Sequence, residues 1–397
     1  MPETLLSVLT QMAWPAALAI AWVVGEMVYC WLSLPRISGY GLAGFFMAAS
    51  QGGFLGDPAG ESVSRLADFA FALILFELGY RANLQWLNHN RWLGVTSVIE
   101  ASGTFCLVFL VTQVFSVPQV PALLIAAVTM STSPAAVLRV VNDLRSAGQV
   151  TERVLHLTAF NCVIAVIAVK VVLGYWVLQN AGSILQAIWH SLVVLLVSIS
   201  IGTLFGVVVP GLLRLRGSAN SNVTVAYAIA ALLLTAVTHI LQFSPLLAAL
   251  TFGMVARHRR VVLSQTQRNF GALGDLLTVL LFVVVAASLE WKHVIEGIGL
   301  ALAVVATRLI TKTLATTFLA GLSGINWRKG MLTGLAMTPM SAFVVVLLEQ
   351  SRHLQAGLLD NVVGITAIVW LLEIIGPLVT QKALMLAGET QYGEEPN

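Results

Sequence analysis

Glu77, Glu100, Arg308 and Lys312 are ionisable residues set inside long apolar runs, where a charge costs roughly 2.5–3.5 kcal/mol to insert. Desolvation disfavours the charged form of a buried carboxylate and a nearby cation favours it. A group balanced in this way is suited to exchanging one positive charge for another. Arg308 and Lys312 lie one helical turn apart and share a face. Two proline-centred breaks also stand in mid-run: Thr129-Met130-Ser131-Thr132-Ser133-Pro134-Ala135 and Ala336-Met337-Thr338-Pro339-Met340-Ser341. Each places a hydroxyl residue directly before the proline (Pro134 or Pro339), which frees backbone groups that hydroxyls can cap. Thr158, Asn161 and Cys162 cluster in a further run. The Thr158 hydroxyl can ligate a dehydrated ion or bond back to its own helix.

The elements that position these groups are membrane helices. Of 397 residues, 58% are hydrophobic and 10% charged, with a mean hydropathy of +0.89. Soluble domains carry about 25% charged residues, so soluble enzymes, nucleic-acid binders and disordered chains are excluded. Lipid admits only helices or closed barrels, and barrel strands would alternate polar and apolar. An all-α polytopic membrane protein is expected, and a transporter in preference to an enzyme. Apolar runs fall near 11–32, 37–53, 66–87, 93–115, 119–142, 152–178, 183–213, 221–241, 244–257, 269–289, 293–321, 327–350 and 360–386, thirteen spans of which the second and ninth are short. The first run lacks a basic flank and reads as a mature span, not a signal peptide. No connection is long enough for a soluble domain, so 1–397 reads as one membrane domain.

Charge placement tests this count. Of the 21 Lys and Arg residues, Arg65, Lys292 and Arg352 fall in even-numbered connections and Lys170, Arg308 and Lys312 inside spans. The other fifteen fall in odd-numbered connections or in the span ends that flank them, which the positive-inside rule places in the cytoplasm. The N-terminus is therefore expected outside and the C-terminus inside. Arg257-His258-Arg259-Arg260 reads as a topology determinant more readily than as a lipid headgroup site. Cys30, Cys106 and Cys162 have no paired spacing and read as free buried thiols, with no metal site or cofactor implied.

The two breaks occupy the fifth place in spans one to six and in spans eight to thirteen. With the seventh span (183–213) as a linker, the halves 11–178 and 221–386 read as an inverted repeat. Broken helices at matching places point to a substrate site at the midplane. The plainer reading is two ordinary proline kinks.

At these residues the chain resembles the monovalent cation:proton antiporter superfamily, of the sodium/proton exchanger type. Leu34-Pro35 through Gly44 resembles the family's entrance to its second helix, and Leu75-Phe76-Glu77-Leu78-Gly79-Tyr80 resembles its third. Thr132-Ser133-Pro134 falls on its first break, Phe160-Asn161-Cys162 on its acidic pair, Arg308 on the basic residue of its eleventh helix, and Thr338-Pro339-Met340-Ser341-Ala342 on its second break. The resemblance implies thirteen helices, a homodimer with a dimerisation domain and a mobile core, and exchange of sodium or potassium for protons by alternating access across a bacterial inner (plasma) membrane. Gly39-Tyr40-Gly41-Leu42-Ala43-Gly44 also fits G-x-G-x-x-G, but no strand precedes it, and close helix packing explains it better.

The departures matter more. The aspartates that the family uses are Cys162 and Ser133 here. A thiol titrates near pH 8.5 and is a poor ligand for a hard alkali cation. Arg308 is expected to hold the carbonyl ends of the broken helices, with Lys312 assisting it or snorkelling and Lys170 snorkelling outward. Among the carboxylates Glu26, Glu77, Glu100, Glu349 and Glu373, Glu77 at mid-span is the first choice for the missing acid and Glu100 the second. His156, near a span end, reads as an interfacial histidine before a pH sensor. Two alternatives stay open: a same-fold carrier of a small organic anion, favoured by Arg308 and exposed helix N-termini, and a sensor-like homologue that does not transport.

Overall fold

The computed structural model describes residues 2–56, 61–178, 184–215, 223–259, 263–340, 343–345, 348 and 363–390. Ser341, Ala342, Glu349 and Arg352 lie outside the described residues, as does the greater part of the twelfth span after its break. Among the described residues the chain is helical, with no strand beyond an isolated bridge between Ala48 and Leu55.

Thirteen spans follow in order: α1 (Pro2–Leu32), α2 (Arg36–Met47), α3 (Glu61–Arg81), α4 (Arg91–Val114), α5a (Gln119–Thr129) with α5b (Pro134–Asp143), α6 (Gln149–Leu178), α7 (Ile184–Leu215), α8 (Val223–Ile240), α9 (Pro245–His258), α10 (Gly271–Ala287), α11 (Trp291–Phe318), α12 (Trp327–Ala336, the first half of a broken span) and α13 (Val363–Leu386). Eight are long and apolar enough to cross a bilayer unaided. At 12 and 14 residues, α2 and α9 rise only about 18 and 21 Å against a hydrocarbon core of about 30 Å. Both pack closely on neighbouring helices, α2 on α1 and α10 and α9 on α3 and α7.

The third span runs 61–81, not 66–87. Ala82 and Asn83 leave the helix, and the Asn83 side chain caps a separate short helix, Leu84–His89, by accepting from Gln85 and Trp86 N–H. Glu77 is thereby one turn from the end of α3, not at mid-span. A second correction concerns the thiols: Cys30 and Cys106 are exposed on outward helix faces and only Cys162 is buried.

The helices sort into two groups. α2 packs on α1 and α10, α3 on α9 and α10, and α8 on α3, forming a panel. α4, α5a, α5b, α6, α11, α12 and α13 pack on one another as a core, while α7 touches both α6 and α9. Between helices in lipid, close packing replaces hydrophobic drive. α3 and α9 cross through Gly79 and Gly253, where an added Cβ would come within 2.1 Å of the Leu250 or Phe76 carbonyl oxygen. The glycine series of α2 works similarly: a Cβ on Gly44 would lie 2.8 Å from Val283 Cα.

The molecule has two unlike ends. At one, Arg36 meets Glu26 and Asp143, Arg139 meets Asp143 and Asp275, Arg257 donates to the Tyr80 and Arg81 carbonyls, and Lys329 donates to Gln149. These basic residues come from odd-numbered connections and adjoining helix ends, so alternation of the chain gathers them on one face. At the other end Gln51 bonds the Leu289 carbonyl at 2.6 Å and the Trp291 N–H at 3.4 Å, joining two even-numbered connections.

Candidate functional site

The breaks meet. Thr129 ends α5a, Ser133 caps α5b with Pro134 at its first position, and the chain between them is unwound. Across the gap, Ser133 N–H donates to the Pro339 carbonyl at 2.8 Å and the Thr132 hydroxyl to that of Met337 at 3.4 Å. A local rule, proline after a hydroxyl residue, thus builds two helix C-terminal ends whose carbonyls have no intrahelical partners.

Arg308 fills that gap. Its Nε donates to the Thr129 carbonyl at 2.9 Å, Nη1 to Thr338 at 2.5 Å, and Nη2 to Ser131 at 2.6 Å and Met337 at 3.1 Å. Each helix C-terminus carries about −0.5 charge, so two of them match one guanidinium. The side chain is 1% exposed, and this pairing explains how a buried arginine is tolerated with no carboxylate against it.

Lys312, one turn along, is satisfied differently. It donates to the Met130 carbonyl at 3.0 Å and forms an ion pair with Glu100, both side chains being wholly buried. The other Glu100 oxygen accepts from Asn161 Nδ2 at 2.9 Å, and Asn161 Oδ1 accepts from the Ser97 hydroxyl at 3.0 Å. Thr132 Oγ1 lies 3.4 Å from Asn161 Nδ2 and 3.5 Å from Lys312 Nζ. The Cys162 thiol donates to the Thr132 carbonyl at 3.5 Å. The Thr158 hydroxyl is buried with no hydrogen-bond partner, so of its two readings the back-bond to its own helix is absent. Glu100, Lys312, Arg308, Asn161, Cys162, Thr132 and Ser133 therefore converge at one crossing.

Glu77 stands elsewhere. It accepts from Arg81 at 2.8 Å and from Asn142 Nδ2 at 3.1 Å, and Arg81 also donates to Asn142 Oδ1. It lines a recess of about 30 Å³ with Asn142, Arg139, Asp275 and Ala135, which reaches from the basic end to the start of α5b. Glu373 is buried in mid-α13 beside Gly41. His156 accepts the Asn83 N–H at Nε2, faces the Glu152 carbonyl with Nδ1 and packs on Trp86, an interfacial packing role.

Ser97 and Asn142 escaped the sequence reading. Ser97, Glu100 and Thr104 recur at helical spacing along the buried face of α4, a polar stripe that marks Ser97. Asn142 sits at a helix end where polar residues are ordinary, so only its contacts reveal it.

The sequence family described as sodium/hydrogen exchanger, transmembrane, matches residues 16–385. The chain belongs to the sodium/hydrogen exchanger family. Its fold is similar to that of the sodium proton antiporter MjNhaP1 from Methanocaldococcus jannaschii. To the structure at pH 8 the TM-score is 0.69 at 16% identity, covering 94% of this chain and 99% of that one. To the electron-microscopy structure it is 0.69 at 18% identity, covering 96% and 98%. No curated protein matches at the sequence level. In this exchanger-family chain the carboxylate at the crossing comes from α4, not from the helix that carries Asn161 and Cys162.

Proposed function

We propose that this protein exchanges a monovalent cation, sodium or potassium, for protons by alternating access, with the Glu100–Lys312 pair as the coupling site. The observation that carries the reading is that pair, fully buried among oxygen ligands where the two broken helices cross. Glu100, Thr132, Asn161 and Ser97 supply oxygens of the kind a dehydrated alkali cation needs. A cation that takes Glu100 leaves the ammonium unpaired, and an unpaired buried charge costs about 3–5 kcal/mol. Lysine can relieve that cost by releasing its proton. One positive charge then replaces another, and the buried charge is unchanged.

Family membership and the antiporter fold support exchange, and the meeting of two matched breaks supports the inverted repeat with a midplane site. Packing of α2 on α10 and of α3 on α9, exchanged partners under such a repeat, supports it too. The positive-inside rule supports a cytoplasmic basic end, and the family resemblance supports a homodimer in a bacterial inner membrane. The anion-carrier alternative is weakened because Arg308 is matched by two helix ends and Lys312 by Glu100. Among the described residues no cation at the crossing is left to hold an anion.

The test uses purified protein in liposomes with an imposed pH gradient. Sodium or potassium should dissipate the gradient, and failure of sodium, lithium and potassium at every pH would remove the exchange reading.

A further inference from the structure

Four arginines and one carboxylate line a cavity of about 630 Å³ on the basic end: Arg81, Arg145, Arg257, Arg268 and Glu152. The cavity lies between the panel, which supplies Arg81, Arg257 and the connection bearing Arg268, and the core, which supplies Arg145 and Glu152. A cation pathway has no use for such a concentration of positive charge, because it repels the ion that must arrive.

The four arginines are not equivalent. Arg81 is spent on Glu77 and Asn142, and Arg257 on the carbonyls at the end of α3. Arg145 and Arg268 form no ion pair among the described residues, and Arg268 Nε is buried with no hydrogen-bond partner. Burial holds the Arg268 guanidinium below its usual range, and the neighbouring Arg81 and Arg257 push the same way against the opposing pull of Glu77. Arg145 stands at φ +47°, directly after the cap of α5b. Glycine is favoured at such a position and an L-residue pays about 1–2 kcal/mol. Its side chain is exposed and lines the cavity.

We propose that this vestibule binds a phosphate group, with Arg145 and Arg268 as its ligands from the core and panel sides. Two unpaired guanidiniums match a dianion in charge, and their forked N–H groups suit phosphate oxygens. The site is independent of which ion the crossing carries, and its ligand bridges the two helix groups. The phosphate comes from solution or from an anionic lipid headgroup.

Full-length protein in neutral detergent is titrated with inorganic phosphate by calorimetry at fixed ionic strength. Saturable binding is expected, weakened at least about tenfold in the R145Q/R268Q double variant, since each lost charge-assisted bond is worth more than the 1.4 kcal/mol of a decade. R91Q, an exposed arginine in an odd-numbered connection and outside the cavity, should bind like the parent, and thermal melting confirms that all three fold. The titration is repeated in phosphatidylcholine nanodiscs with and without phosphatidylglycerol. Loss of phosphate uptake in the phosphatidylglycerol discs assigns the site to a headgroup, and unchanged uptake assigns it to soluble phosphate. If phosphate shows no saturable binding in detergent, or the double variant binds as tightly as the parent, the proposal is overturned.

Discussion

Two buried glutamates in this protein each face a basic residue, and the partners differ in one property. Glu100 meets Lys312 at the helix crossing. Glu77 meets Arg81 at the basic end, four residues along its own helix. A lysine ammonium can surrender a proton when its partner is taken, whereas an arginine guanidinium stays charged in proteins. The first pair can therefore exchange a proton for a cation. The second is a fixed clasp that ties α3 to α5b through Asn142. Burial alone does not separate them, since both carboxylates are 5% exposed or less. The identity of the partner does.

Glu100→Gln should have the largest effect. It removes the carboxylate and strands Lys312, so cation-driven dissipation of a pH gradient in liposomes should vanish, and thermal stability should fall by about 3–5 kcal/mol. Lys312→Arg is the more selective variant, because it converts the crossing pair into the clasp type. The variant should fold and melt near the parent, yet lose at least about a hundredfold in exchange rate, roughly 2.7 kcal/mol of barrier. Retained exchange in it would show that the proton does not leave from position 312.

Glu77→Gln should be milder. Arg81 keeps Asn142 as an acceptor, so the variant should lose less than the roughly 3–5 kcal/mol of a stranded buried charge, and because Glu77 lies away from the crossing its initial rate in the same liposomes should change about fivefold or less, roughly 1 kcal/mol of barrier. Cys162→Ser should be smallest of all, within about twofold in rate. The thiol contributes one weak bond to the Thr132 carbonyl, which a hydroxyl can replace.

Much of the site was legible in the sequence because membrane helices expose their exceptions. Arg308 and Lys312 stand out in an apolar run. Pro134 and Pro339 mark the breaks, and positive-inside counting delivers thirteen spans with one basic face. Ranking the carboxylates was harder. Apolar periodicity alone starts the third span five residues too late, at 66 against the observed 61, and so moves Glu77 toward the membrane centre. The correction rests on the Asn83 cap, a signal available in the sequence but overrun by the apolar Leu84 and Trp86 that follow it. The Glu100–Lys312 contact was not legible at all. It joins α4 to α11 across 212 positions, and helical periodicity gives the buried face of each helix without saying which turn meets which. Arg308's lack of a carboxylate looked like a deficit in the sequence. It is resolved by backbone carbonyls, which every residue possesses and no composition reveals.

The proposed trade of a proton for a cation between Glu100 and Lys312 is measurable directly. Sodium or potassium is added to detergent-solubilised protein in weakly buffered solution, and the protons released are counted with a pH indicator. Saturable release approaching one proton per chain is expected in the parent, none from Glu100→Gln or Lys312→Arg, and release in full from Glu77→Gln. Undiminished proton release from Glu100→Gln would contradict it.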